Sequence, residues 1–349
     1  MDDFLSHIYG WYFENKRDLP WRKNTDPYRI WISEIILQQT RVAQGTNYFL
    51  RFIHKLPNVN KLAEAAENEV LKQWQGLGYY SRARNIYYTA KIIVNNYNGV
   101  FPKEYKELLK LKGIGPYTAA AISSIAFGLP HATVDGNIYR LLSRYFGIDA
   151  AIDTNSGKKV FNALAEEILS KENPGMHNQS LMEFGALQCV PKSPKCGNCP
   201  LFASCFANKK GLVKKLPVKI KRTKQSVRNF YFYYIENGTF TYLEKRTEKD
   251  IWEGLYQFPL FEAEKELSEI EVLNLKIPFF ENTVANIKSI SNKKKHVLSH
   301  QIIYARLIIV EINDLTKLNT NFIQINKKDI SKFAVPKLLE LFIEDLRIS

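Results

Sequence analysis

Nowhere does the chain run to the roughly 18 consecutive apolar residues that read as a membrane span, so an integral membrane protein is not expected. The opening stretch, MDDFLSHIYGWYFENKRDLPW, carries Asp2 and Asp3 and no apolar signal core, which argues against export. Cysteine is scarce and confined, with four in 349 residues, all between 189 and 205. Without an export signal that pattern excludes a disulfide scaffold and points to a metal site. Acids are in deficit, 35 against 49 lysines and arginines, giving a net charge of +14 and a pI near 9.4. The excess implies a polyanionic partner, and DNA fits better than an anionic membrane surface. What is present in quantity is core-forming: 45% hydrophobic and 13% aromatic residues, enough for two domains at this length. The expected setting is the cytoplasm, at the nucleoid if the source is bacterial.

The densest signal is Leu111 to Arg140, LKGIGPYTAAAISSIAFGLPHATVDGNIYR. Gly113 and Gly115 let backbone amides approach a partner closely. Pro116 suits a first helical position, and the free amides of that helix start form a ready phosphate site. Gly128 and Pro130 end the helix, and Asp135 stands at the entrance of a second one carrying Ile138, Leu141, Leu142 and Tyr145. Either fragment alone is an ordinary turn or N-cap. Together, at this spacing, they resemble the helix-hairpin-helix (about 108–128) and catalytic aspartate of DNA glycosylases related to endonuclease III.

Upstream, Asp26-Pro27 is a cap followed by proline, and the predicted helix is YRIWISEIILQQTRV. Its single carboxylate, Glu34, has Ile30, Trp31, Leu37 and Gln38 three and four positions away. Burial among them raises a carboxyl pKa, which suits a group delivering a proton near neutrality. The segment WISEIILQQTRV resembles the adenine DNA glycosylase family, and Glu34 falls on that family's catalytic acid. The stretch Gln75-Gly76-Leu77-Gly78-Tyr79-Tyr80-Ser81-Arg82-Ala83-Arg84, with aromatics to wedge and cations to meet phosphate, resembles it too. That resemblance implies that Tyr79 and Gln39 push into the base stack, with Thr40, Leu77, Gly113 and Gly115 also at the DNA. It further implies that Tyr117 and Asn137 support the two carboxylates and that Arg17, Trp21 and Leu37 approach the adenine. LAEAAENEVLKQWQ and NIYYTAKIIVNNY repeat apolar residues at three and four, and no strand pattern precedes about Arg228. Residues 1–206 are therefore expected to be an all-helical unit, with Glu34 and Asp135 on separate helices.

Cys189, Cys196, Cys199 and Cys205 leave six, two and five residues between successive members. Four thiolates accommodate a structural zinc or a 4Fe–4S cluster, and the spacing alone leaves both open. The pattern resembles the cluster loop of the endonuclease III relatives, which implies iron–sulfur in a structural role, with Lys192 and Lys195 offering a basic loop to DNA. From 207 to 227 the chain holds eight lysines and arginines and no acid, a predicted basic linker. Beyond it, RNFYFYYI and TFTYLEKR flank Asn237-Gly238, a hairpin signal, and β-rich runs lead to a final helix in VPKLLELFIEDLR.

Trp252 to Pro259, WEGLYQFP, resembles the Nudix-like domain of adenine glycosylases, so 228–349 is expected to be an α+β recognition domain. The segment after it lacks the Arg-Glu-x-x-Glu-Glu arrangement that holds metal in a hydrolase of that fold. In the family a Phe-Ser-His loop checks the base opposite the adenine; here it is Leu298-Ser299-His300, with leucine for the aromatic. The chain as a whole is thus expected to be multidomain, an α unit followed by an α+β one. Where bifunctional relatives carry a Schiff-base lysine two residues after the second hairpin glycine, this chain has Tyr117. The resemblance implies a monofunctional, monomeric enzyme that removes adenine opposite 8-oxoguanine or guanine in duplex DNA. A bifunctional pyrimidine glycosylase with lyase activity and a non-catalytic iron–sulfur DNA-binding protein are the alternatives.

Overall fold

The structure, a computed structural model, describes residues 2–220, 225–274, 279, 286–312 and 321–348. The chain divides into two compact units, Met1–Glu64 with Asn85–Lys221 and Ala65–Arg84 with Arg222–Ser349.

The first unit is helical throughout its described residues. Helix Pro27–Leu37 begins as the sequence predicts: the Asp26 carboxylate accepts from the Tyr28 amide at 2.9 Å, and Pro27 takes the first position. Eight of its eleven residues are buried, so it is a core helix. It does not run on to Val42 as its apolar pattern suggests. Gln39 adopts a left-handed backbone, φ 59°, which no α-helix accommodates, and a new helix starts at Val42–Lys55. Apolar periodicity is blind to one such residue. Likewise LAEAAENEVLKQWQ is two helices, Val59–Glu64 and Glu67–Trp74, broken where Ala66 turns extended and Glu67 and Glu69 begin a fresh N-terminus. Helices Gly136–Phe146 and Pro174–Leu187 pack through Ile138, Leu141, Leu142, Leu181 and Phe184, with Phe4 and Ile8 from the first helix closing the core. Part of the predicted linker is folded onto this unit: Leu216 is buried, its carbonyl accepts from Arg144, and the Val218 carbonyl accepts from the Ile152 amide. Lys221 to Lys224 of that stretch lie outside the described residues.

In the second unit, strand Ser226–Glu236 runs parallel to Gln301–Glu311 and antiparallel to Leu260–Ala263. Asn286–Ile290 and Lys294–Val297 pair with the far edge of Gln301–Glu311. A three-stranded antiparallel sheet holds Tyr256–Gln257, Phe240–Lys245 and Ile323–Asn326. The Asn-Gly turn forms, with Gly238 at φ 55° and Asn237 and Phe240 exchanging backbone bonds, but the flanking strands then part into different sheets. Phe230 to Ile235 are buried on both faces, and both edges of their strand are already taken, so it cannot also be half of a two-stranded hairpin. Helix Lys337–Ile348 brings Phe342 against Phe232. Residues 65–84 belong here: Lys72 donates to the Phe333 carbonyl at 3.0 Å, and Arg84 pairs with Glu253 at 2.7 Å.

Candidate active site

Glu34 projects from helix Pro27–Leu37 into a cavity of about 560 Å³ in the first unit, and is only 9% exposed. Tyr117, in the first turn of Pro116–Phe127, also reaches it, and its hydroxyl donates to Glu34 Oε2 at 2.7 Å. Asp135 caps helix Gly136–Phe146: Oδ1 accepts from the amides of Asn137 and Ile138 at 2.9 and 2.8 Å. Oδ2 accepts from Asn137 Nδ2 at 2.7 Å. The ordinary cap and the pocket acid are thus one residue. Arg140 fixes the orientation of that amide, donating from Nη2 to Asn137 Oδ1 at 2.8 Å and from Nε to the Cys189 carbonyl at 2.6 Å. A Cβ on Gly185 would lie 2.8 Å from Asn137, so the close approach of these two helices needs glycine.

The two carboxyls have unequal surroundings. Burial pushes Glu34 up to about 7, and Asp135 adds to the rise, while the Tyr117 hydroxyl and Arg22 only partly oppose it. Burial also raises Asp135, but two amides, the Asn137 side chain and Arg140 pull the other way. Of the pair, Asp135 has three direct donors and Glu34 one, so Asp135 loses its proton first.

Arg17, Trp21 and Leu37 line the same cavity, and so do Gln39 and Thr40. Arg17, though, spends its guanidinium on Glu183, donating from Nε and Nη2 at 2.8 and 2.7 Å, with Arg22 adding a bond at 2.9 Å. Burial pushes the Glu183 carboxyl up, yet the arginine bonds together outweigh it and hold it at about 2. Glu183 and Arg22 escape the sequence reading. The signal was available, since Glu183 is the lone acid in LMEFGAL just as Glu34 is in its helix.

The remaining expected residues lie elsewhere. Gly113, at φ 82°, sits against Asn85, where a Cβ would meet the asparagine at 2.6 Å, and Gly115 caps helix Pro116–Phe127 with extended backbone. In the second unit, Tyr79, Ser299 and His300 line a separate cavity of about 530 Å³ with Trp252, and the Tyr79 and Ser299 hydroxyls are hydrogen-bonded to each other. Tyr79 holds a left-handed backbone, φ 47°, a strained conformation for a bulky residue. Leu77 is not part of that cavity's wall; its amide closes the turn onto Trp74.

All four cysteines line one cavity of the first unit, with Leu141, Tyr145, Phe184 and Leu201 among its apolar walls. Arg144, 4% exposed, donates to Cys189 Sγ at 3.4 Å. Among the described residues no three His, Cys, Asp or Glu side chains converge as they would on a single ion. Four cysteines around one hollow, with a buried cation beside them, suit a thiolate-held metal centre.

The site is thus helical packing around a hairpin, with an aspartate capping the helix that follows and a second carboxyl in the same cavity. Residues 32–169 match the HhH-GPD superfamily base excision DNA repair protein, and residues 230–345 match the NUDIX domain. A solved thermostable thymine-DNA glycosylase is similar at 33% identity and a TM-score of 0.55, covering 59% of this chain and 95% of that one. Endonuclease III, trapped as a covalent intermediate with DNA, is similar at 25% identity and a TM-score of 0.52, covering 60% and 95%. Within that class the match narrows. An adenine DNA glycosylase of Buchnera aphidicola subsp. Baizongia pistaciae is 38% identical over 324 residues, covering 91% of this chain and 89% of the relative. A human adenine DNA glycosylase is 38% identical over 216 residues, covering 59% and 40%. The chain belongs to the adenine DNA glycosylase family.

Proposed function

We propose that this protein excises adenine paired with 8-oxoguanine, or with guanine, from duplex DNA by hydrolysing the N-glycosidic bond and going no further. The observation that carries the proposal is the pair of buried carboxyls, from two helices, facing one cavity with unequal hold on their protons. A base inside the stack cannot be reached, so the target nucleotide turns out into this cavity. Glu34 enters protonated and gives its proton to adenine N7. The C1′–N9 bond then breaks with its electron pair going to the base, and the sugar is left cationic. Asp135 carries the compensating negative charge, as an ion partner or by transient attachment at C1′. Water supplies the oxygen at C1′ and returns a proton to the carboxylates. Tyr117 occupies the lysine position of strand-cleaving relatives and has no amine to form a Schiff base, which supports a monofunctional enzyme.

Cys189, Cys196, Cys199 and Cys205 would hold a 4Fe–4S cluster, which braces the loop and takes no part in base removal. Protein purified anaerobically is expected to be brown, with iron and sulfide in equal amounts; colourless protein with stoichiometric zinc would refute the assignment. The setting that follows is wherever chromosomal DNA is.

Reading of the opposite base is assigned to Ser299 and His300. Guanine N7 accepts a hydrogen bond where 8-oxoguanine donates one, so a hydroxyl and an imidazole can tell them apart, by about 1–3 kcal/mol per good contact. The test uses duplexes with adenine opposite 8-oxoguanine or opposite guanine, followed by alkali. Strand cleavage only after alkali is expected, whereas cleavage without it would establish a lyase. Ser299→Ala with His300→Ala is expected to lower the ratio of the two excision rates about tenfold. An unaltered ratio, in protein of unaltered melting temperature, removes the loop from recognition.

A further inference from the structure

Beside the carboxyl-lined cavity, and within the same unit, lies a second one of about 730 Å³. The two share Arg17, Arg22, Ile125 and Gln179 as wall, so a single layer of side chains separates them. Three of the four are held from other residues: the arginines on Glu183, and Gln179 Oε1 by the Tyr12 hydroxyl at 3.0 Å. Ile125 makes an apolar contact surface that can shift without leaving a polar group unpaired. The second cavity opens to solvent, since Phe13 on its rim is 60% exposed and Thr25 and Asn173 are exposed too.

Its chemistry suits a nucleobase. Phe13, on the rim, provides an exposed aromatic face beside the buried Tyr12, with the Lys16 ammonium 5.4 and 5.5 Å from the two ring centres. Stacking of a base on such faces is strong and tolerant of base identity. The side-chain NH2 groups of Asn24, Asn173 and Gln179, whose oxygens already accept from Asp26, Met176 and Tyr12, offer donors of the kind that meet purine edges.

We infer that this second cavity is an exit site for the free purine base, adenine, reached through the Gln179–Ile125 partition while the abasic duplex is still bound. The inference rests on the function proposed above. It answers a steric demand of that function: a nucleotide inserted from a duplex fills the mouth of the reaction cavity with its own sugar and phosphates. Adenine freed behind that plug waits for the duplex to leave unless a second way out exists.

A duplex with radiolabelled adenine opposite 8-oxoguanine tests this in single turnover. Bond cleavage is read by alkali, and adenine still held by the protein–DNA complex by rapid filtration. Wild type is expected to lose adenine long before it loses the duplex. Ala126→Trp and Thr25→Trp fill the second cavity from two different walls without touching the carboxyls. Both are expected to cleave the bond at the normal rate and to release adenine about tenfold more slowly, at the pace of duplex dissociation. Should one substitution disturb folding, the other carries the measurement. Wild type that keeps adenine until the duplex leaves, or variants that release it as fast as wild type, would overturn the exit site alone. Absence of any alkali-dependent cleavage would instead remove the adenine chemistry, and the exit site with it.

Discussion

Glu34→Gln and Asp135→Asn each lower single-turnover adenine release by about 10²-fold or more, the range in which positioned proton donors and charge partners act. Duplex affinity stays close to normal, because binding to DNA rests mainly on phosphate contacts. The two substitutions act through different atoms. Glutamine at 34 keeps the volume and can still accept from the Tyr117 hydroxyl, but it has no proton to give to a leaving base. Asparagine at 135 still caps helix Gly136–Phe146 through its oxygen, as asparagine does at least as well as aspartate. Its amide nitrogen, however, would face Asn137 Nδ2, donor against donor. Asn137 cannot relieve this by turning over, because Arg140 holds its oxygen on the other side. The position therefore demands an acceptor on both arms, which only the carboxylate supplies. Rates from alkali-developed strand cleavage, with affinities from binding to an uncleavable duplex, check both. A variant that keeps a near-normal rate loses its assigned role.

How much of this was visible in the sequence depends on the kind of signal. Caps and breakers act locally and came through: Asp26-Pro27 and Gly115-Pro116 start helices where expected, and Gly128 ends one in a left-handed conformation. Glu34 stood out because an acid amid apolar helical neighbours is a local anomaly with a chemical consequence. The stops at Gln39 and Ala66 did not stand out. Each is a backbone choice by a residue with no strong turn preference, made by tertiary packing. Glu183 is, like Glu34, the lone acid of its helical stretch, but what it does depends on Arg17 and Arg22, more than 160 positions away, and spacing says nothing about such partners. The diverging strands around Asn237-Gly238 show the same limit, since a turn signal specifies the turn and not which sheet its strands join. The site was legible where one residue type carries its own chemistry, and hidden where the chemistry belongs to a pair.

The buried acid should also show itself in stability. In the native protein Glu34 holds its proton up to about pH 7, whereas in the unfolded chain it ionises near the ordinary 4.5. Between those values the unfolded state has released a proton that the native state retains, so rising pH favours unfolding. The contribution is complete below about 4.5 and is lost as pH rises through about 7. The displacement corresponds to about 3 kcal/mol at 1.36 kcal/mol per pKa unit. Glutamine does not titrate, so Glu34→Gln escapes the loss. Its stability relative to wild type is expected to be higher at pH 8 than at pH 5 by about 2.5 kcal/mol, since at pH 5 the unfolded chain has already lost most of that proton. Asp135 shifts the result in the same direction, because without a charge at 34 its own ionisation is easier. Denaturant unfolding of both proteins at the two pH values, followed by the helical signal, gives the difference directly, and groups common to both cancel. The Glu34→Gln variant is thus expected to gain on wild type above neutrality, because Glu34 is an acid the fold must bury with only one cation, Arg22, already bonded to Glu183, to oppose the cost. A wild-type and variant difference that does not change with pH would mean that Glu34 titrates normally, and would leave the site without its proton donor.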